Sequence, residues 1–221
     1  MYVLIIVLII AFMGLITYLL CSSVGSVGDR ATAAKILQYG KDSEYYIYDI
    51  CCAVQSSETV FRDLPLPVEG ENGVYYIKID VVAVNRGGVA VMKVNNNHGQ
   101  IINPRVGNWI QRHKSKFLKF RNPFEQNDGN ISILTEELKK SGFKKKIPIK
   151  NLVVFTDDEV KFNERYASLL TASDVAPFLR NMNEYRSLTK KEVAEVCAIF
   201  EKYRRAYRAR MKKKKQSRRK A

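Results

Sequence analysis

The chain has few of the residues that bind zinc or form disulfides: two histidines and four cysteines among 221 residues. No Cys-x-x-Cys pair occurs, and the neighbouring Cys51 and Cys52 would be hard to bridge to one another. Structural zinc sites use four Cys or His ligands at short, characteristic spacings. We therefore expect neither a structural zinc site nor a disulfide framework.

Charge is also missing from the N-terminal end, since the first charged side chain is Asp29. Residues 2–20 are uncharged and mostly apolar, and at ~1.5 Å each they nearly span the ~30 Å hydrocarbon core of a bilayer. A secretory signal would begin with basic residues, and none precedes Asp29. A lipidated Cys21 would follow a small residue, but here a leucine precedes it. Rather than a signal peptide, a lipoprotein or a buried helix, we predict a transmembrane anchor at residues 1–21 and a linker at residues 22–26.

Basic residues flank the predicted anchor only on its C-terminal side, beginning with Arg30, Lys35 and Lys41. Such residues favour the cytoplasmic side of a membrane. We therefore predict a single-pass membrane protein whose globular part lies in the cytoplasm. Cysteines without a disulfide pattern agree with that compartment.

The positive charge is concentrated at the C-terminal end. Of 37 Lys and Arg, twelve lie within residues 202–220, which contain no acid, so the net charge of +15 falls to +3 without them. We assign residues 203–221 to a basic tail that binds nucleic-acid phosphates or anionic lipid headgroups, with a solubilising disordered segment as the alternative. The candidate binding residues are Arg204, Arg205, Arg208, Arg210, Lys212, Lys213, Lys214 and Lys215.

The first half of the globular part predicts a helix followed by strands. Residues 28–39 have an Ala-rich helical composition. Glu44–Val54 is rich in Tyr, Ile and Cys and predicts a strand, whereas the prolines and glycine of Ser56–Asn72 predict a loop. The β-branched runs Val74–Val84 and Val89–Val94 surround an Asn-Arg-Gly-Gly turn, which predicts a hairpin.

The second half predicts helices alternating with short strands. Asn122 followed by Pro123 favours a helix start, and this helix is expected to end near Gly142. Thr189 and Glu192 form a capping box before the last helix, which we expect to continue into the basic tail. The other predicted elements are short strands at Gly99–Ile102, Lys116–Phe120 and Leu152–Phe155 and a helix that starts at Ser173 and Asp174.

The segment Lys78–Ile101 has an Ile-Asp pair, a Gly-containing hairpin, a Lys-Val-Asn-Asn run and a further Gly, in that order. It resembles the nuclease-related domain (NERD) family of the restriction-endonuclease-like PD-(D/E)xK group, whose members have Gln-Ile-Asp, a hairpin and Glu-Val-Lys-Asn. Without gaps, Asp80 falls on the family Asp, Lys93 on the family Glu and Asn95 on the family Lys.

Three further matches lie outside that segment: a Gly-Asp pair ending at Asp29, Trp109, and the Asn-Pro-x-x-Gln-Asn run at residues 122–127. The resemblance covers about residues 27–160. It implies an α/β domain with a restriction-endonuclease-like mixed β-sheet flanked by helices, here preceded by the transmembrane helix. We assign residues 161–202 to a C-terminal helical extension.

The resemblance also implies where a nuclease site would lie, at Asp29, Asp80, Lys93, Asn95 and Gln126. Family nucleases hold a divalent metal with acidic groups and use a neighbouring lysine during attack on the phosphate. Here a lysine and an asparagine replace the family's Glu and Lys, so the site is degenerate. We predict that Lys93 pairs with Asp80 and takes the place of the metal.

These observations predict a membrane-anchored, catalytically inactive nuclease-like module without a cofactor. It would bind nucleic acid, an anionic membrane or a protein partner. One alternative is a divergent Mg²⁺-dependent DNA nuclease that uses Asp29 and Asp80, and another is a purely structural scaffold. Shifting the alignment by two residues would restore Lys93 to the family Lys, but would place Val91 at the family Glu.

Overall fold

The computed structural model describes residues 40–71 and 73–217. From Asp42 onward the described residues belong to one compact unit. The predicted anchor, the linker, the helix predicted at residues 28–39 and Asp29 all lie outside the described residues. Among the helices that the structure describes, none is long and apolar enough to cross a membrane.

Four α-helices and nine strands make up the described chain, together with a short 3-10 helix at Ser57–Thr59. The helices are α1 (residues 40–54), α2 (Pro123–Lys140), α3 (Ala172–Glu184) and α4 (Lys190–Ser217). The strands are β1 (Val60–Gly70), β2 (Gly73–Asn85), β3 (Gly88–Asn95), β4 (Gln100–Ile102), β5 (Trp109–His113), β6 (Lys116–Phe120), β7 (Ile149–Phe155), β8 (Lys161–Phe162) and β9 (Leu169–Thr171).

The strands form two mixed sheets. The five-stranded sheet has the order β1-β2-β3-β7-β9, with β1 to β3 antiparallel and β7 parallel to both β3 and β9. The four-stranded sheet has the order β6-β5-β4-β8. Because β9 belongs to the larger sheet, the chain after residue 160 shares the core of the preceding strands.

Helices cover both faces of the five-stranded sheet. On one face, Cys51 of α1 and Leu179 of α3 pack in the same apolar cluster. On the other, Leu134 of α2 and Phe200 of α4 do so. A third cluster joins the two sheets through Trp109, whose ring stacks on that of Phe155 with centroids 6.4 Å apart. The predicted α/β class, with mixed sheets flanked by helices, is therefore confirmed.

The strand predicted at Glu44–Val54 is wrong, because these residues are part of α1. The Tyr and Ile content favoured a strand, but Ile47 and Cys51 are both fully buried and lie four residues apart on one helix face. A period near four residues is typical of an amphipathic helix, and here it decides the structure over β-propensity.

The loop predicted at Ser56–Asn72 is also wrong, since most of it is β1. Pro65 and Pro67 suggested a break because proline cannot donate to a sheet ladder. Strand β1 lies at the edge of its sheet and pairs only with β2, which is the position in a sheet where proline is tolerated.

The remaining elements predicted within the described residues are confirmed, with one shift. Helix α2 begins after Asn122, whose side chain accepts a hydrogen bond from the Phe124 N–H at 3.0 Å. The helix predicted to start at Ser173 and Asp174 is instead capped by Thr171, two residues earlier. The hairpin, the three short strands, the end of α2 before Gly142 and the Thr189–Glu192 capping box agree with the structure.

The turn between β2 and β3 is fixed against α3. Asn85 donates its side-chain N–H to the Leu179 carbonyl at 3.1 Å, and the Arg86 N–H donates to the Asn183 side chain at 3.1 Å. A Cβ atom at Gly87 would overlap the backbone carbonyl of Met182. Glycine is therefore required here because two backbones approach closely.

We expect Gly87→Ala to lower the free energy of unfolding by about 1–3 kcal/mol, because the added methyl forces the turn away from α3. Gly129→Ala, within α2, is the matched control: nothing lies within 4 Å of its Cβ position, and it should be neutral or slightly stabilising. Chemical denaturation of both variants measures the difference. Equal stability of the two variants would contradict the close approach.

Candidate functional site

The candidate site lies where the pairing of β2 with β3 ends. The last partners in the register at this end are Val81 and Met92. Continuing that register by one residue on each strand places Asp80 opposite Lys93. Residues opposite one another in antiparallel strands have side chains on the same face.

Asp80 and Lys93 form an ion pair, as predicted. The Lys93 ammonium lies 2.9 Å from Oδ2 and 3.1 Å from Oδ1 of Asp80, and the Val94 N–H donates to Oδ2 at 3.0 Å. Only 11% of the Asp80 side chain is exposed, against 28% for Lys93. Both carboxylate oxygens are therefore occupied by donors of this chain.

Glu44, on α1, is the residue of this site that sequence reasoning missed. Its pKa is raised to about 7, first by burial and then by the negative charges of Asp80 and Asp63, while the positive charges of Lys93 and Arg62 act in the opposite direction. The error followed from predicting a strand at this position. The helical spacing from Glu44 to Ile47 and Cys51 is the signal that would have placed it on the buried side of a helix.

Asp63, on β1, adds a third carboxylate to the same region. It has a positive φ of 51°, and the β1–β2 pairing skips it between Arg62 and Leu64. Its carboxylate lies 3.4 Å from the Lys78 ammonium and 4.0 Å from the Arg62 guanidinium. The region is thus a mixed charge cluster, and within the described residues no group of three or more acidic, His or Cys side chains is placed to hold a metal ion.

The other predicted site residues form no hydrogen bond or ion pair with Asp80 or Lys93 within the described part of the chain. The buried side-chain nitrogen of Asn95 has no hydrogen-bond partner, while its carbonyl accepts from the Thr156 N–H at 2.9 Å. Gln126 donates to the Arg121 carbonyl at 3.3 Å. Asp29 lies outside the described residues.

The buried amide of the Asn-Pro-x-x-Gln-Asn run is Asn127. It is fully buried and donates to the Val91 carbonyl of β3 at 2.9 Å and to the Asn151 side chain of β7 at 2.8 Å. This run therefore has a structural role: it caps α2 and fastens that helix to the central strands.

The predicted basic tail is helical up to Ser217, where the described residues end, so the alternative of a disordered segment is wrong for residues 203–217. Three of its candidate residues have partners: Arg204 and Arg205 pair with Glu201 at 3.2 and 3.4 Å, and the Arg210 guanidinium lies 5.4 Å from the Tyr76 ring centroid. Within the described chain, no ion pair forms at Arg208, Lys212, Lys213, Lys214 or Lys215.

The raised pKa of Glu44 predicts a pH-dependent stability. Because the folded protein holds this proton more tightly than the unfolded chain, the contribution is complete below about pH 4.5 and is lost as pH rises through about 7. We expect Glu44→Gln to be more stable than the native protein above about pH 8, by about 1 kcal/mol after allowance for partial solvent exposure.

Chemical denaturation of the native protein and of Glu44→Gln, from below about pH 4.5 to above about pH 8, measures the difference in free energy of unfolding. The exposed Glu195 of α4 supplies the control variant, Glu195→Gln, which removes the same charge outside the site. If native protein, Glu44→Gln and Glu195→Gln showed parallel pH profiles, Glu44 would not be coupled to the charge cluster.

Comparison with known proteins identifies the family that this fold and site belong to. The family model for the nuclease-related domain (NERD) matches residues 25–156, more than half of the chain, and this range contains the Asp80–Lys93 pair. Searches of curated proteins and of solved structures gave no match. The resemblance inferred from the sequence is confirmed, and the chain belongs to the nuclease-related domain family.

Proposed function

We propose that this protein is a membrane-anchored member of the nuclease-related domain family that binds nucleic acid without cleaving it. The observation that carries the proposal is the ammonium of Lys93, 2.9 Å from the Asp80 carboxylate. In a metal-dependent nuclease, a divalent ion bound by carboxylates lies beside the scissile phosphate.

A lysine in contact with Asp80 prevents that chemistry in two ways. Its positive charge repels a divalent cation at the same carboxylate. Its N–H groups and that of Val94 already occupy the oxygens that Mg²⁺ would need as hard ligands. An ammonium can neutralise Asp80, but it does not generate a metal-bound nucleophile.

The C-terminal half of α4 supports binding to nucleic acid. No acid occurs from Lys202 to Ser217, and Arg208 and Lys212–Lys215 are solvent-exposed and make no ion pair with other described residues. An α-helix has ~3.6 residues per turn, so these cations surround the end of α4 at fixed spacing. Nucleic-acid phosphates bind such cations with release of counterions.

The apolar segment at residues 1–21 supports a membrane anchor, and the basic residues that follow it support a cytoplasmic position of the module. Under this proposal, the protein holds nucleic acid close to the membrane surface. No cofactor is required, because the proposed binding rests on charge.

A Mg²⁺-dependent nuclease is the rival function. One observation favours it: the charge of Asp80 contributes to the raised pKa of Glu44, so two carboxylates share one region. Glu44 would then replace Asp29 as the acid contributed by a helix. Against this rival, Lys93 lies at the carboxylate that both functions would need.

The test uses full-length protein in an uncharged detergent, with labelled oligonucleotides and added Mg²⁺ or Mn²⁺. We expect binding without cleavage, and affinity that falls steeply as salt rises. Replacing Lys212–Lys215 with Gln should make the slope of log K against log salt shallower by about 1.5–3, since each phosphate contact contributes about 0.7–0.9 and two to four of these lysines contact phosphate.

The matched control replaces four exposed lysines that lie elsewhere: Lys139, Lys144, Lys146 and Lys150. This variant should retain the native slope. Absence of binding at low salt would overturn the proposal. Metal-dependent cleavage that disappears in Asp80→Ala would establish the nuclease instead.

A further inference from the structure

A groove of about 660 Å³ lies between the tip of the β1–β2 hairpin and the C-terminal half of α4. Its walls combine aromatic, apolar and cationic side chains. The residues that line it are Val74, Tyr75, Tyr76, Tyr207, Arg210, Met211, Lys213, Lys214 and Ser217. Aromatic rings and cations without a lining acid are typical of a surface that binds an anionic ligand.

Tyr75 provides a flat, supported surface in this groove. A Cβ atom at Gly70 would lie 3.2 Å from Cε1 of Tyr75, so the absence of a side chain at Gly70 lets the ring lie against the hairpin. Even so, 54% of Tyr75 is exposed. The ring therefore lies against the hairpin at Gly70 while more than half of the residue is exposed to solvent.

The other two tyrosines fix α4 against the hairpin. The rings of Tyr76 and Tyr207 meet edge to face with centroids 5.0 Å apart. The Arg210 guanidinium lies 5.4 Å from the Tyr76 centroid, and the Lys78 ammonium lies 5.8 Å from the Tyr207 centroid. These contacts place the C-terminal half of α4 beside the strand that carries Tyr75.

Lys213 and Lys214 supply positive charge at the groove, and neither forms an ion pair with another described residue. The acids closest in sequence to the hairpin residues of the groove are Glu69 and Glu71. Both lie at the exposed hairpin tip, and neither lines the groove. An anionic chain can therefore lie along the helix side, with its path across the hairpin tip disfavoured by those two acids.

We propose that this groove binds single-stranded nucleic acid, with one base stacked on Tyr75 and the backbone phosphates on Arg210, Lys213 and Lys214. This inference rests on the proposed function and specifies its substrate class. Stacking on aromatic side chains, combined with a basic groove, is how proteins bind single strands without sequence preference. In a duplex the base faces are already stacked within the helix, so they are unavailable to Tyr75.

The experiment measures binding of full-length protein, in uncharged detergent, to a mixed-sequence oligonucleotide, once as a single strand and once as a duplex. DNA and RNA versions are compared. Tyr75→Ala should weaken single-strand binding by about 5- to 150-fold, since stacking contributes about 1–3 kcal/mol per base. Tyr75→Phe keeps the ring and should bind as the native protein does.

Tyr185→Ala is the matched control, because Tyr185 is 73% exposed and does not line the groove. It should leave binding unchanged, and the native protein should prefer the single strand. If the native protein binds but Tyr75→Ala behaves like Tyr185→Ala, or if the duplex is preferred, the groove inference fails while the proposed function stands.

Two further outcomes would overturn both. One is absence of binding to every oligonucleotide at low salt. The other is binding only to vesicles that contain phosphatidylserine, with no competition by oligonucleotides, which would assign the basic helix to an anionic membrane surface.

Discussion

The contact between the Lys93 ammonium and the Asp80 carboxylate is the interaction on which the rest of the site depends. It lies at the point where the β2–β3 ladder ends and where β1 is distorted at Asp63. The raised pKa of Glu44 shows that α1 contributes to the same electrostatic region. A largely buried carboxylate needs a partner, and the Lys93 ammonium is such a partner for Asp80.

In our account, the ammonium of Lys93 changes which chemistry this nuclease-related fold can support. Its contact with Asp80, together with the Val94 N–H, satisfies both oxygens of that carboxylate from within the chain. The elements that surround the site are held independently, as by Asn127, which ties α2 to β3 and β7 through hydrogen bonds. In our account the fold therefore persists as a scaffold, and binding rests on α4 and the hairpin beside it. The cations of α4 lie on a helix that packs against β1 through Phe200, whose ring centroid lies 5.3 Å from that of Phe61.

The sequence predicted elements well where local chemistry specifies them. Asn122 before Pro123 marks a helix start, and the Asn-Arg-Gly-Gly turn marks a hairpin, because each satisfies or shapes the backbone locally. The Lys93–Asp80 pair was also predictable, since alternation along paired strands places the two side chains together.

The failures came from tertiary context. Helix α1 contains many residues with high β-propensity, and only the burial of Ile47 and Cys51 against the sheet selects the helix. The prolines of β1 are tolerated because that strand has one neighbour, which composition does not reveal. Because α1 was predicted as a strand, the sequence did not predict that Glu44 belongs to the site. The central claim, that Lys93 occupies the place of the metal, is tested most directly by Mn²⁺ titration of the full-length protein with electron paramagnetic resonance. Our account predicts no bound Mn²⁺ in the native protein and a bound signal in Lys93→Glu, which restores the family's acid. A bound signal in the native protein that is lost in Asp80→Ala would contradict it.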